Sequence, residues 1–327
     1  RRAPLDLDLP ERKIELGEDG MVRRVHVPER LDAHRLIEEF MIQANVAAAE
    51  TLEQARAPVV YRVHDRPSTE KLKALRELLE GLDLSLPPGD HIRPKHFNGV
   101  LARAKDQPYA EFVNAVILRS QAQAVYDTAN LGHFGLNLLR YAHFTSPIRR
   151  YADLLVHRSL IAAMKLGAGG MAPEEKPELK ETAKAISEAE RRAMVAERET
   201  IDRLISAFLA DRVNAEFAGR ISGVTRSGLF VRLKDTGADG FIPASTLGGG
   251  EFWRRVEEAH ALIGDRSGRG FRLGDQVEVR LVEAIPMAGA LRFEMLTEPG
   301  PMPGHAARGG GSHRRGPPLG NRRHRRR

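Results

Sequence analysis

The sequence predicts an α+β protein: a mostly helical part over residues 1–212, a five-stranded β-barrel over 213–297 and a disordered basic tail over 298–327. Three observations predict it. Before about residue 213, apolar side chains recur at helical spacing in several long segments. After it they alternate, in short runs separated by turn residues. From Glu298 onward the chain is Gly, Pro, Arg and His without periodicity, a composition that builds no core.

The 327 residues suffice for two or three domains with proper cores. Charged residues at 29% and hydrophobic at 42% fit a soluble globular chain. The absence of cysteine excludes disulfides, thiolate metal sites and a thiol nucleophile, and it suits a cytoplasmic location. No apolar run approaches the ~18 residues of a membrane span. The start, Arg1-Arg2-Ala3-Pro4, lacks Met and an apolar leader and reads as a piece of a longer protein. The net charge of +7 is carried by the tail: residues 301–327 hold eight arginines and no acid, which leaves about −1 for the rest.

Leu5-Asp6-Leu7-Asp8-Leu9 alternates and predicts a half-buried strand. Lys13–Leu16 and Val22–Val25 flank Gly17-Glu18-Asp19-Gly20 and predict a hairpin. A helix over 31–56 has Asp32 as its cap and Leu36, Ile37, Phe40, Met41, Ala44 and Ala48 as its buried stripe. Glu38 and Asn45 share a face of it, with Glu39 beside them; as chemistry alone, both acids read first as solvated dipole partners. Val59–His64 is a short buried-type strand, with His64 a structural residue beside a turn. Helices at about 68–81, 94–104 and 108–126 follow, separated by proline breakers. His133 has no metal-ligand companion at useful spacing and reads as a packing or surface-facing residue, not a ligand.

At 143–158 the chain reads HFTSPIRRYADLLVHR. Thr145 or Ser146 can cap a helix over 147–166, and Pro147 suits its first position. Ile148, Tyr151, Leu154, Leu155 and Ile161 give its apolar stripe. Arg149 and Arg150 then occupy the first turn, where the helix dipole is already positive, so the pair plus free N–H groups makes a phosphate site. The competing reading is a local ion pair, Arg149 with Asp153 or Asp153 with His157. A long helix over about 174–213 has Ala185, Ile186, Ala189, Met194, Leu204, Ile205 and Phe208 on its apolar positions. Strands at 217–225, 228–233, 239–242, 276–284 and 291–296 suit an OB-fold, with Phe241 in its core and Phe230 its one stacking aromatic.

HFTSPIRRYADLLVHR resembles the signature of the RNB nuclease domain, the ribonuclease R and ribonuclease II family. LIEEFMIQAN at 36–45, LRSQAQAVY at 118–126, GHFGL at 132–136 and AERRAMVAERE at 189–199 follow the same family pattern. The barrel resembles the small RNA-binding OB domain first known from a ribosomal small-subunit protein. It departs from it at Ser227 and Pro243, where an aromatic and a histidine are usual.

The resemblance implies a metal-dependent, processive 3′-to-5′ exoribonuclease that releases nucleoside 5′-monophosphates from single-stranded RNA and works as a monomer, with Mg2+ as the expected ion. It assigns Arg149 to the scissile or adjacent phosphate and Glu38 or Glu39 to orienting groups around the metal. It assigns Arg150, Tyr141, His143, Ser146, Phe230 and Arg232 to RNA. At Leu7, where the family places a clamp aromatic, this chain has no ring. Ribosomal or RNA-decay partners are compatible with it. The aspartate loop that holds the family's metals lies upstream of every motif here, and Asp6 with Asp8, the sole Asp-x-Asp pair, sits in a strand pattern. The alternatives are an RNA-holding chain that cuts nothing, and a ribosome-associated OB protein, which leaves residues 31–210 unexplained.

Overall fold

The computed structural model describes residues 2–8, 12–107, 109–257 and 259–302. Residues 2–8 form no strand. The Leu5 N–H donates to the Gly135 carbonyl (2.8 Å), Asp6 N–H to Asn98 Oδ1 (3.0 Å) and Asp8 N–H to Asn114 Oδ1 (2.8 Å). Two helix-borne asparagines thus replace a partner strand, which corrects the strand expected there; Leu9 lies outside the described residues. Leu5 and Leu7 still pack on the helices beneath. The hairpin forms from β1 (Lys13–Leu16) and β2 (Val22–His26).

Helix α1 runs Asp32–Gln54. Its cap position is Leu31, whose N–H donates to His34 Nδ1, so Asp32 lies in the first turn and is not the cap. The expected stripe is corrected too. Leu36, Ile37, Phe40 and Met41 are exposed, and burial begins at Ile42 and continues through Asn45, Ala48, Ala49 and Leu52. Periodicity identifies the apolar face of a helix but not how far its neighbours reach along it. Among the described residues, nothing buries residues 31–41.

Helices α2 (Thr69–Glu80), α3 (Pro94–Ala104) and α4 (Ala110–Ser120) close on Leu72, Leu79, Ile92, Phe97, Val113 and Ile117. Each such large side chain contributes roughly 1.5–3 kcal/mol by leaving water. Helix α4 stops six residues earlier than its pattern suggests. Gln121 turns extended, at ψ 155°, and its side chain donates to the Ile117 carbonyl. That frees β4 (Val125–Asp127) to pair antiparallel with β3 (Tyr61–Val63). The two-residue strand period sends Tyr61 and Val63 to the core shared with α1, and Arg62 to the other side.

Helix α5 is Tyr151–Met164, four residues shorter at its start than expected. Its buried face is Ala152, Asp153, Leu155, Val156 and Ser159; Ile148, Tyr151 and Leu154 are exposed. Helix α6 (Leu179–Leu209) is anchored at one end by Leu179, Ala183 and Ser187 and at the other by Ile205, Ser206 and Leu209. Residues 191–200 between them, Met194 included, are exposed on every side.

The barrel has the closed order β11-β12-β7-β6-β5, built from β5 (Glu216–Val224), β6 (Gly228–Leu233), β7 (Asp239–Pro243), β11 (Gln276–Ile285) and β12 (Ala290–Met295). Ile221, Leu229, Val231, Ile242, Val279, Leu281 and Phe293 fill it. Phe241 is not among them. Gly240 and Ile242 point inward, because the Phe293 ring takes the space a Cβ at 240 would need; Phe241 therefore faces out beside Phe230. Between β7 and β11 the chain builds three strands of a second sheet, β8 (Trp253–Val256), β9 (Ala261–Gly264) and β10 (Arg269–Arg272), which β13 (Gly300–Pro301) completes after the barrel in the order β13-β10-β9-β8. Gly300 and Pro301 thus pair in a sheet and Met302 is buried beside it, which corrects the disordered tail expected from 298. The remaining tail, 303–327, lies outside the described residues.

Candidate nucleic-acid interface

The signature sequence does not enter a helix at Pro147. It forms a strap over 141–150, held between α1, β3 and α5 by polar side chains. Arg62 N–H donates to the Tyr141 carbonyl (2.8 Å) and fixes one end. Asn45 of α1, 3% exposed, accepts the Phe144 N–H (2.8 Å) and the Thr145 N–H (3.2 Å) on Oδ1, and its Nδ2 donates to Tyr141 Oη (2.9 Å). His157 of α5 stacks on the Phe144 ring, with centroids 4.2 Å apart, and its Nε2 meets the Phe144 carbonyl at 2.8 Å.

Asp153, 0% exposed, anchors the other end. Its Oδ1 accepts both the Ser146 N–H and an Arg150 N–H, each at 2.7 Å. The Ser146 carbonyl closes a separate turn by accepting the N–H groups of Arg149 and Arg150. Arg150 is extended (φ −129°, ψ 117°), so the helix begins only at Tyr151. This corrects the expectation that Thr145 or Ser146 caps a helix with both arginines in its first turn. The carboxylate draws the backbone and one guanidinium toward itself, and a turn results where a helix was expected. The local pairs are corrected as well: Asp153 binds Arg150, not Arg149, and His157 serves Phe144.

A wall of rings lies against the strap. Tyr126 Oη and His143 Nδ1 are 2.8 Å apart; His143 meets Tyr141 at 5.6 Å, Tyr141 meets His133 at 5.3 Å, and His133 meets His64 at 5.1 Å, centroid to centroid. Burial first, then the charges of Arg150 and Arg62, pushes His143 down to about 3. Burial, then His64 and Arg62, does the same to His133. Burial holds the Tyr126 phenol up at about 12. Near neutral pH the phenol therefore donates to a neutral imidazole at Nδ1, which leaves the His143 proton on Nε2. His64 is structural, as expected: its Nδ1 accepts the Gly135 N–H, and its other nitrogen meets the Ala122 carbonyl.

Arg62 was not singled out by sequence, although a cation between Tyr61 and Val63 in a buried strand is itself a signal. Its guanidinium lies 4.6 Å from the Tyr126 ring centre and donates to Glu190 of α6 through two N–H groups, at 2.6 and 3.0 Å. The cluster thus holds Arg62, Arg149 and Arg150 against Asp153 and Glu190. Arg149 is the exposed one, with no side-chain partner among the described residues, on the turn beside the fully exposed Ile148. Thr145 Oγ1, Arg150 Nε and Asp153 Oδ2 are buried without partners in the same place.

Glu38 and Glu39 are exposed on α1 and pair with Arg30 and Arg2 respectively. They make no bond to the strap, and burial holds the Tyr141 phenol up. On the barrel, Phe230 is 40% exposed, with its ring 5.1 Å from that of Phe241. Arg232 is tied to Asp239, which also accepts from Ser222 Oγ (2.8 Å). Asp6 and Asp8 are exposed. Among the described residues, no group of three or more His, Asp or Glu side chains is placed to hold a metal ion.

The RNB domain family matches residues 1–165, and the S1 RNA binding domain matches 210–295. Ribonuclease R of Escherichia coli is 41% identical over 294 residues, which cover 88% of this chain and 36% of that protein. The apo form of Mycoplasma genitalium RNase R superposes with a TM-score of 0.84 at 29% identity, covering 90% of this chain and 46% of that one. The same enzyme in complex with ribose methylated single-stranded RNA gives 0.83 at 28% identity, with the same coverage. The chain therefore spans about a third to a half of the length of these relatives.

Proposed function

Because this chain belongs to the RNB family of exoribonucleases, we propose that it supplies the RNA-holding, arginine-bearing part of a 3′-to-5′ exoribonuclease acting on single-stranded RNA. The observation that carries the reading is the strap. Two buried side chains, Asn45 and Asp153, and the partly buried His157 fix its backbone, yet Arg149 on its turn is exposed and unpaired among the described residues. A guanidinium so placed offers two parallel N–H donors to a phosphate. The neutral histidines and the two buried tyrosines back the strap with a wall that adds no competing cation. Phe230 and Phe241 form a second stacking surface on the barrel, and Arg232, neutralised by Asp239, contributes little charge there.

Mg2+, the ion expected of the family, has no ligand set among the described residues. In this reading its carboxylates lie outside them, Glu38 and Glu39 border the site, and the chain by itself grips RNA without cutting it. The test is to incubate the chain with 5′-end-labelled single-stranded RNA and Mg2+ or Mn2+, and to measure binding in parallel. Binding that weakens with salt, without shortening of the RNA, is expected. Stepwise loss from the 3′ end overturns the division of labour, and absence of binding overturns the reading altogether.

A further inference from the structure

We propose that Asp153 decides which of two adjacent arginines is offered to phosphate: by holding Arg150 inside the fold, it leaves Arg149 as the member of the pair that takes one. The inference rests on the reading of Arg149 above and adds a positioning residue to it.

Arg149 and Arg150 are chemically identical neighbours on one turn, and the structure treats them oppositely. Arg149 is exposed. The Arg150 side chain is 21% exposed, its Nη2 donates to Asp153 at 2.7 Å, and its Nε is buried without a partner. The carboxylate that holds it is wholly buried and binds nothing charged besides Arg150. A helix-opening acid whose only duty was to fix the backbone would need just the oxygen that accepts the Ser146 N–H. An amide could do the same. What an amide cannot do is neutralise a guanidinium.

The charge matters because the surroundings are crowded with cations. His143 feels Arg150, Arg62 and Arg149 together, and Glu190 is already engaged by both prongs of Arg62. Without the negative charge at 153, Arg150 is a largely buried cation in a cluster that also holds Arg62 and Arg149, with no other acid paired to it among the described residues. Its low-energy course is to turn outward, where a polyanion would capture it. Asp153 therefore sets the number of phosphate-binding arginines on the turn at one, and so sets which phosphate of the strand is gripped.

The test uses the full chain and a short, fluorescently labelled single-stranded RNA, titrated across a salt series. Asp153→Asn keeps the shape and the oxygen facing Ser146 but removes the charge. The expected result is a log–log salt slope steeper by roughly 0.7, the increment of one added phosphate contact on a single strand. Asp153→Asn combined with Arg150→Gln should return the slope to the parent value. A purely architectural role for Asp153 would weaken binding without steepening the slope. If Asp153→Asn folds and its slope is unchanged or shallower while the parent binds, the inference falls and the RNA reading stands. If the parent does not bind, the RNA reading falls and the inference falls with it. Should Asp153→Asn fail to fold, Arg149→Gln in the otherwise intact chain decides. Flattening by roughly 0.7 supports a single exposed arginine, and an unchanged slope overturns it.

Discussion

Replacing Asn45 by alanine should loosen the strap more than any other single polar change in α1. Asn45 is buried and satisfies three groups at once: the N–H of Phe144, the N–H of Thr145 and the Tyr141 hydroxyl. Truncation leaves two backbone donors and a phenol without partners in a site closed to water. Each stranded group costs about 1–3 kcal/mol, and the 3.2 Å bond to Thr145 belongs at the lower end. The sum is about 4 kcal/mol, a large fraction of the 5–15 kcal/mol that typically holds a domain together. Tyr141→Phe removes one of the three bonds and should cost about 1 kcal/mol. Urea unfolding followed by helical circular dichroism gives both values, with the slope m expected to stay constant and the midpoint to move. Trp253, the one tryptophan, sits in the inserted sheet and packs into the barrel core, so its fluorescence reports that core. An Asn45→Ala cost no larger than that of Tyr141→Phe would refute the claim that Asn45 suspends the strap.

Stability should fall as pH drops from about 6.5 toward about 3, because His133 and His143 stay neutral in the fold while the unfolded chain takes up protons. Above about 6.5 neither state is protonated and the term is flat; between about pH 7 and about pH 5 the two together remove roughly 3–4 kcal/mol, which thermal melts should show and which His133→Gln with His143→Gln should largely abolish. Gly240→Ala drives a methyl into the Phe293 ring and should cost about 1–3 kcal/mol, read from barrel unfolding by Trp253 fluorescence, with Phe293→Leu restoring part of it. Arg62→Lys keeps the charge but loses the two-pronged grip on Glu190 and the cover over Tyr126, for about 1–2 kcal/mol, and a thermal melt indistinguishable from the parent would show that geometry to be unimportant.

The barrel strands were legible because alternation is a local property, and five runs between turn residues carry it unaided. Phe241 misleads because the inward place on β7 is decided by Phe293, a residue some fifty positions away in sequence. The helices were legible for the same local reason, and α2 and α3 end where expected, but two other ends were not legible. Helix α4 stops where Gln121 folds back on Ile117, and α5 starts late because Asp153 binds the strap. Both are choices between a backbone bond and a side-chain bond, which periodicity does not contain. The exposed Leu36, Ile37, Phe40 and Met41 show the complementary gap: an apolar stripe is visible in sequence, its cover is not. The signature arginines were found from their order along the chain. Arg62, Glu190 and Asn45 meet them only through the tertiary fold, at separations of 41 to 104 residues from Arg149 in sequence.

The central claim is that Arg149, presented by the strap, grips a phosphate of single-stranded RNA. The most direct measurement is a structure of the chain bound to a short oligoribonucleotide. The account places a phosphate oxygen within hydrogen-bonding distance of the Arg149 guanidinium, with Arg150 still on Asp153 and the wall of Tyr126, Tyr141, His133 and His143 beside the strand. RNA bound on the barrel alone, with Arg149 left in solvent, would contradict it.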